Sequence, residues 1–591
     1  MRCFSALLLA AGTYMAQAQT IPASRLTDWS HAGLQDTVPA YPTVIDIMSH
    51  GADNTGATPS DAALQAAITA LNGKPGTVFF PSGTYKFNQS VAMRDSLVLK
   101  GNGNNNTRLI FDLGHIETSM FEFKGTAGST VWDVTEPIAK DDNYIVLNNT
   151  TGISKGNWLH LYGDDVALTT SAWAYGTVGQ IVQVADVKND TIVTVQKMRR
   201  SYDMSFAAKM KMVDPIKWAG LECMYIQRYD STIGQSNNIN FDKAVNCWVI
   251  GVESDSTNFC HIAIFNSAHI LARANYLHHS HAYGGSGQGY GVAIHYTSGD
   301  CLIENNKLEH LRHSMLVQAG ANGNVFAYNY SKDPYWDEPP FPTNSAGDIV
   351  CHGNYPFMNL FEGNVVQNVV IDNSHGINGP FNTIFRNKAG GYGIFMNNNP
   401  ATDSMNIVAN EVTNVNTGLY TLQGTGHFEL VNNVKGTITP AGITTINHTS
   451  LFRLQKPPYW DFWEFWPGIG TPFAGNNNTP IPATYKLIPD CTINPKYQDI
   501  HVDEVRGDKT ALAVYPNPAA GMVNFEYTAA TNENVSVSIL DMTGRLVAVL
   551  PLQGNTGKTQ WNVANTPPGI YLYQLHTGNG VTQTGKLVIS Q

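Results

Sequence analysis

Ile303-Glu304-Asn305-Asn306, Phe326-Ala327-Tyr328-Asn329, Phe361-Glu362-Gly363-Asn364, Ile384-Phe385-Arg386-Asn387, Ile407-Val408-Ala409-Asn410 and Leu430-Val431-Asn432-Asn433 repeat one pattern: an apolar residue, two variable residues, then asparagine. The closing asparagines are spaced by 23, 35, 23, 23 and 23 residues. The long step is 23 plus 12, and the excess falls in Lys332 to Ala346, a run with four prolines. Upstream, Asn275 to Asn306 is 23 plus 8, with the excess in the glycine-rich run Gly284 to Gly291. A constant period broken only by loops marks a solenoid, and about 23 residues is too short for helix-pair repeats. The units are short β-branched or aromatic runs bounded by Gly and Asn, so each coil is expected to be strands joined by turns, stacking into an all-β parallel β-helix. One asparagine per coil is expected to take the left-handed conformation at a tight bend, with its amide hydrogen-bonding along the axis to the next coil about 4.8 Å away.

The N-terminal part agrees. Val44-Ile45-Asp46-Ile47 reads as a strand, His50 to Gly56 as a turn, and Ser60 to Leu71 as a helix with Ser60 as N-cap and Leu64, Ile68 and Leu71 on one face. Thr77-Val78-Phe79-Phe80, Pro81-Ser82-Gly83-Thr84-Tyr85 and Leu97-Val98-Leu99-Lys100-Gly101 follow. This order resembles the N-terminal cap and opening coils of the pectate lyase-like superfamily of right-handed β-helix proteins. The resemblance covers about 70 residues and implies the fold; lyases, glycoside hydrolases and phage tail enzymes share it, so it does not select a chemistry. The period fades between about 130 and 235, where a β-rich insertion is expected, and Ile239, Phe241 and Trp248-Val249-Ile250 are read as the return of regular coils. The β-helix domain is thus placed at 19–505, with its cap at about 40–75.

Only 14% of residues are charged and the net charge is −11, which argues against a nucleic-acid partner. Arg2, the apolar run Leu7 to Gly12 and Ala16-Gln17-Ala18 form a secretory signal pattern, placing a signal peptide at 1–18. No later stretch reaches the roughly 18 apolar residues of a membrane span. Six cysteines then remain, with fifteen pairings open; Cys223 and Cys247, 24 apart, could meet on neighbouring coils, or the thiols are free and buried.

From Ala513 the text changes. Val514-Tyr515-Pro516-Asn517-Pro518, Val535 to Asp541, Thr543-Gly544-Arg545, Pro568 to Tyr573 and Gly585 to Ile589 predict a small β-sandwich at 511–591. These phrases resemble the C-terminal sorting domain of type IX secretion substrates in Bacteroidetes. The resemblance implies the type IX machinery as a partner and a secreted or cell-surface location; a carbohydrate-binding module is the rival reading.

Ten of the eighteen histidines lie between His261 and His375. With the asparagines as ruler, His352 and His375 each stand 12 before a rung, and His313 and Asp348 each stand 16 before one. These four should gather on one sheet within roughly 5 to 14 Å, with Arg312, Asp372 and Arg386 close in sequence. The inserted loops at 281–291 and 332–346 flank the same coils, so Gln288, Tyr290 and Trp336 are candidate substrate contacts. Trp463 joins them from the aromatic run Tyr459 to Trp466, which otherwise lids the last coil. His278, His279 and His281 are a candidate metal cluster or the lining of a turn. Glu304, Glu309 and Glu362 read as turn residues.

Such a groove suits a polysaccharide. Elimination at a uronate needs a cation beside the carboxylate, a base for the C5 proton and an acid for the leaving oxygen. Hydrolysis needs two carboxylates about 5 to 9.5 Å apart, and Asp348 with Asp372 is the best pair. The supply of His and Arg favours a secreted, monomeric polysaccharide lyase. His313 or His352 would be the base, His375 the acid or orienter, and Arg312 or Arg386 the neutraliser; Asp348 or Asp372 would orient a histidine or hold Ca²⁺. A glycoside hydrolase and a non-catalytic glycan binder are the alternatives.

Overall fold

The computed structural model describes residues 21–590 except 286, 338–345, 398–400, 443–445, 447, 458, 461–468, 471–480, 486–510, 529–534, 542–544, 553–555 and 578–579. The signal pattern at 1–18 lies outside them.

The chain is a parallel β-helix of three-strand coils. One coil runs Leu302–Glu304, Lys307–Glu309 and His313–Val317 before Val325–Ala327 opens the next. The first strands of successive coils build a twelve-stranded sheet. In it Leu271, Leu302, Val325, Leu360, Thr383 and Asn406 stand in register. The second and third strands build the other two faces. On the third sheet Ile262, Val292, Met315, Ile349, Val369 and Ile394 form one column, all fully buried. Each such side chain contributes about 1.5–3 kcal/mol of burial, so an aliphatic at a constant coil position drives the stacking.

The asparagines run up the corner between the first and second sheets. Nδ2 of Asn329 donates to the Ile303 carbonyl and to Oδ1 of Asn364, while Oδ1 of Asn329 accepts from N and Nδ2 of Asn306. Each amide therefore has all four hydrogen-bonding positions filled. The ladder continues from Asn275 through Asn387 and Asn410 to Asn432. The last step is 22 residues, so Asn432 and not Asn433 is the rung. The left-handed residue is also not the asparagine: Ala274, Asn305, Tyr328, Gly363, Arg386, Ala409 and Val431, each one position earlier, carry φ between 48° and 66°. The bend precedes the rung and turns its amide into the corner.

Helix Asp61–Ala70 covers the N-terminal end, burying Ala63, Leu64 and Ala67. Ser60 precedes it without capping it through its side chain; its Oγ instead meets the Asp53 backbone. A six-stranded antiparallel sheet spanning Thr126–Asp133 to Lys209–Asp214 is inserted after strand Phe121–Lys124, with its own core around Trp132, Leu159, Val182 and Met210. Coils resume at Gly220–Glu222, which pairs with Leu97–Gly101 and Trp248–Ile250, earlier than the Ile239 read from sequence. Polar residues Glu222, Gln227 and Arg228 on that first coil obscure its pattern.

Cys247, Cys260, Cys301 and Cys351 are buried free thiols and Cys223 is disulfide-bonded, so Cys223 and Cys247 are not partners. Tyr459 and Trp460 do not lid the last coil. They pack on the outer face of the first sheet, where Tyr459 donates to Glu304 and Trp460 meets the Tyr328 ring edge-on. Glu304 there is fully buried and paired with Arg273 and Arg453, a structural ion cluster and not a turn residue.

The unit from residue 500 onward is a β-sandwich. Three strands (Ala511–Tyr515, Met522–Thr528, Thr556–Asn562) form one sheet and four (Val535–Asp541, Leu546–Leu552, Gly569–Thr577, Gly580–Ile589) the other. They close over Val523, Phe525, Val537, Ile539, Leu575 and Leu587.

Candidate active site

A cleft of about 960 Å³ opens on the third sheet, lined by Arg312, His313, His352, Asp372 and His375 together with Tyr290 and Trp336. Strand Gly347–Cys351 ends one residue before His352, and strand Val365–Asp372 ends on Asp372; Cys351 pairs with Ile371, so the next pair is His352 with Asp372. His352 Nδ1 lies 2.8 Å from Asp372 Oδ2. Asp372 Oδ1 accepts from the Ser374 amide and hydroxyl. Burial opposes its charge, but His352 and Ser374 outweigh burial and hold this carboxyl well below the usual range. A carboxylate on Nδ1 fixes the neutral tautomer with its proton there and leaves Nε2 as a lone pair facing the cleft.

The other rings cluster around this pair. The His352 centroid is 5.0 Å from that of His375 and 5.5 Å from that of His313. The His313 ring is buried, and burial with Arg312 and His352 pushes its pKa well below the ordinary value; burial and His352 lower that of His375. Both are therefore neutral at neutral pH, and the lasting positive charge beside them is Arg312. Its guanidinium lies 4.1 Å from the Trp336 ring centroid and donates to the Gly284 carbonyl, so the 281–289 loop and Trp336 together position it.

The cleft contains residues the sequence did not single out. Trp173 of the inserted domain reaches over the coils and meets His375 and Tyr296 edge-on. Its loop is fastened by Asp165, which accepts from the Gly176 and Val178 amides, and by Asn354 Oδ1, which accepts from the Thr170 and Ser171 amides. Gly376 is in the left-handed region, and a Cβ there would come within 2.6 Å of Thr170, so glycine lets the insertion seat beside His375. His295, with its pKa lowered to about 3 by burial and the nearby His352 and His375, and Gln318 also line the cleft. Arg312 Nε, Trp336 Nε1, His295 Nε2 and Asn237 Oδ1 are buried lining atoms with no hydrogen-bond partner among the described residues. Unpaired buried polar atoms are rare, and four of them on residues lining one cleft mark its wall as polar and incompletely satisfied.

Three sequence-derived candidates lie elsewhere. His313 pairs with Gly347, so Asp348 is one position out of step and projects to the other side of the strand. It is fully buried, bound by Ser331 Oγ and by the Gln367 and Asn368 amides, and burial raises its pKa to about 6. Asp348 and Asp372 therefore do not face each other across the cleft. Arg386 is buried at the ladder corner, donating to the His448 and Ile469 carbonyls. Gln288 is not among the described lining residues, although Gly285 and Gly287 beside it are. Trp463 lies outside the described residues. No helix among the described residues is long and apolar enough to cross a membrane.

Residues 44–155 match the family model for rhamnogalacturonase A/epimerase, pectate lyase-like, and residues 513–590 match the secretion system C-terminal sorting domain. Similar solved structures include the tailspike protein gp49 from Pseudomonas phage LKA1 (12% identity, 88% of this chain and 98% of that one, TM-score 0.49). The catalytic unit of a GH87 alpha-1,3-glucanase from Streptomyces thermodiastaticus is another (12% identity, 69% and 66%, TM-score 0.37). A comparison with curated proteins finds no match.

Proposed function

We propose that this chain, whose residues 44–155 match a pectate lyase-like family model and whose residues 513–590 match a secretion sorting domain, acts outside the cell on a polysaccharide, as a lyase cleaving a uronate-containing chain by β-elimination. The observation that carries this reading is the Asp372–His352 pair in a cleft where Arg312 is the one fixed cation among the described lining residues. Arg312, with Trp336 Nε1 beside it, receives the uronate carboxylate and lowers the acidity barrier at C5. His352 Nε2 takes the C5 proton, Asp372 steadying the imidazolium that forms. The electron pair makes the C4–C5 double bond as the C4–O bond breaks, and the proton taken up by His352 passes to the departing oxygen, which neutral His375 orients by a hydrogen bond. Asp372 is the one carboxylate among the described lining residues, which disfavours a two-carboxylate hydrolase. The family match at 44–155 lies before the cleft residues and selects neither chemistry.

The test incubates the mature protein with a panel of uronate and neutral glycans, following ultraviolet absorbance of unsaturated ends alongside reducing ends. Both rise together in elimination. Reducing ends without absorbance establish hydrolysis, and neither signal leaves a glycan binder.

A further inference from the structure

Away from the cleft, on the second sheet, strands Glu253–Thr257 and Tyr276–Ser280 are neighbours with Asp255 and His278 in register. Consecutive residues of a strand normally project to opposite faces. His279, however, has φ 59°, and this left-handed backbone folds its ring back until its Nδ1 lies 2.9 Å from Nδ1 of His278. Ser256, His310 and Asp333, at the same position of the adjacent coils, share this left-handed turn, so the bend belongs to the coil, and what sets His279 apart is the donor set it joins. Asp255 Oδ1 lies 3.6 Å from His278 Nδ1, and one ligand atom from each of the three residues falls within 4.8 Å of the others.

We infer that Asp255, His278 and His279 form a three-ligand site for a divalent transition-metal ion of the Zn²⁺ type, separate from the cleft. The surroundings have the supporting contacts that metal ligands need. Glu253 Oε1 is 3.4 Å from His278 Nε2, the carboxylate–histidine arrangement that orients a ligand ring. Tyr225 donates to Asp255 Oδ2 at 2.7 Å, and Oδ1, which accepts from Ser256 Oγ at 2.9 Å, is the oxygen on the side of His278. The His310 ring stacks on His279 at 5.0 Å and is itself tied to Asp333. Two imidazoles and one carboxylate suit Zn²⁺, Ni²⁺ or Cu²⁺, whereas Ca²⁺ takes oxygen ligands. The exposed side of His279 leaves a fourth position to water. His281, grouped with these two in the sequence, instead approaches the Arg228 carbonyl at 3.1 Å and is not a ligand. The strand carrying both histidines leads into the loop that holds Arg312 through Gly284, so the bound ion would fasten the root of that cleft wall.

The test is independent of the polysaccharide reading because it measures metal. The untagged mature chain is stripped with a chelator and titrated with Zn²⁺ by calorimetry, and its thermal unfolding is followed with and without Zn²⁺. One saturable Zn²⁺ per chain is expected, with no comparable heat from Ca²⁺ and an upward shift in Tm on binding. His279→Asn, which tolerates the left-handed backbone, and Asp255→Asn should each weaken Zn²⁺ at least tenfold and abolish the Tm shift, while His281→Ala keeps both. Absence of saturable binding in the parent protein, or undiminished binding in His279→Asn, overturns the assignment.

Discussion

His352 and Asp372 are useful to each other because both are nearly hidden from water, with side chains 11% and 9% exposed, and the carboxylate fixes which ring nitrogen is basic. His352→Ala should lower the rate of unsaturated-product formation by about 10³-fold. Asp372→Asn should lower it by about 10²–10⁴-fold while leaving substrate affinity nearly intact, since the histidine then loses its favoured tautomer. Steady-state absorbance assays separate the two parameters. Asp348 gives a different prediction. Its pKa is raised to about 6 from 3.8, so the folded protein binds the proton more tightly than the unfolded chain. That contribution is complete below pH 3.8 and is lost as pH rises through about 6, at up to about 1.4 kcal/mol per pH unit. Denaturant midpoints across this range should fall with pH in the parent protein and lose that component in Asp348→Asn. The asparagine ruler explains why Asp348 and His375 looked like column mates of the other histidines. From the ladder corner back to the cleft corner, His295 and Gln318 stand 11 residues before their rungs, His352 stands 12 and Asp372 stands 15. Turns at the cleft corner vary in length, so a ruler anchored across the barrel finds the right coils but not the right faces.

The asparagine ladder is the element on which the stack depends, and its amides have no spare hydrogen-bonding capacity. Asn364→Ala would strand the Asn329 amide and backbone N–H and the Phe326 carbonyl, all buried. At about 1–3 kcal/mol per orphaned group, the loss should be at least ~3 kcal/mol, measured by chemical denaturation. Asn364→Asp should rescue little, because it can accept but cannot donate to Asn387 or Phe326. This element was the most legible part of the sequence, since periodic hydrogen bonding demands one residue type at one interval. The inserted domain was the least legible. Its strands could be suspected, but nothing in Ser171-Ala172-Trp173 announces a contact with His375 more than 200 residues away. Trp173→Ala should raise KM about three- to tenfold with a smaller change in kcat, the loss of one aromatic face against a sugar ring.

At the level of the whole molecule, two units with separate cores divide the work. Removal of residues 511–591 should leave turnover and the unfolding of the β-helix unchanged while stopping release to the cell exterior, which fractionation and assay of the purified truncated chain would check. The amino-acid text announced both units because each repeats local rules: a fixed period in one, alternating strands and tight turns in the other. It could not announce the cleft, which exists only where coils, loops and insertion converge. Between Asn329 and Asn364 the chain gains twelve residues, yet the two amides still meet at 3.0 Å, against 2.9 Å between Asn306 and Asn329 where the step is 23. Architecture and recognition are thereby decoupled: segments opposite the spine can lengthen, shrink or be exchanged without disturbing its alignment. Descendants of this scaffold can acquire new sugar preferences by remodelling its rim alone.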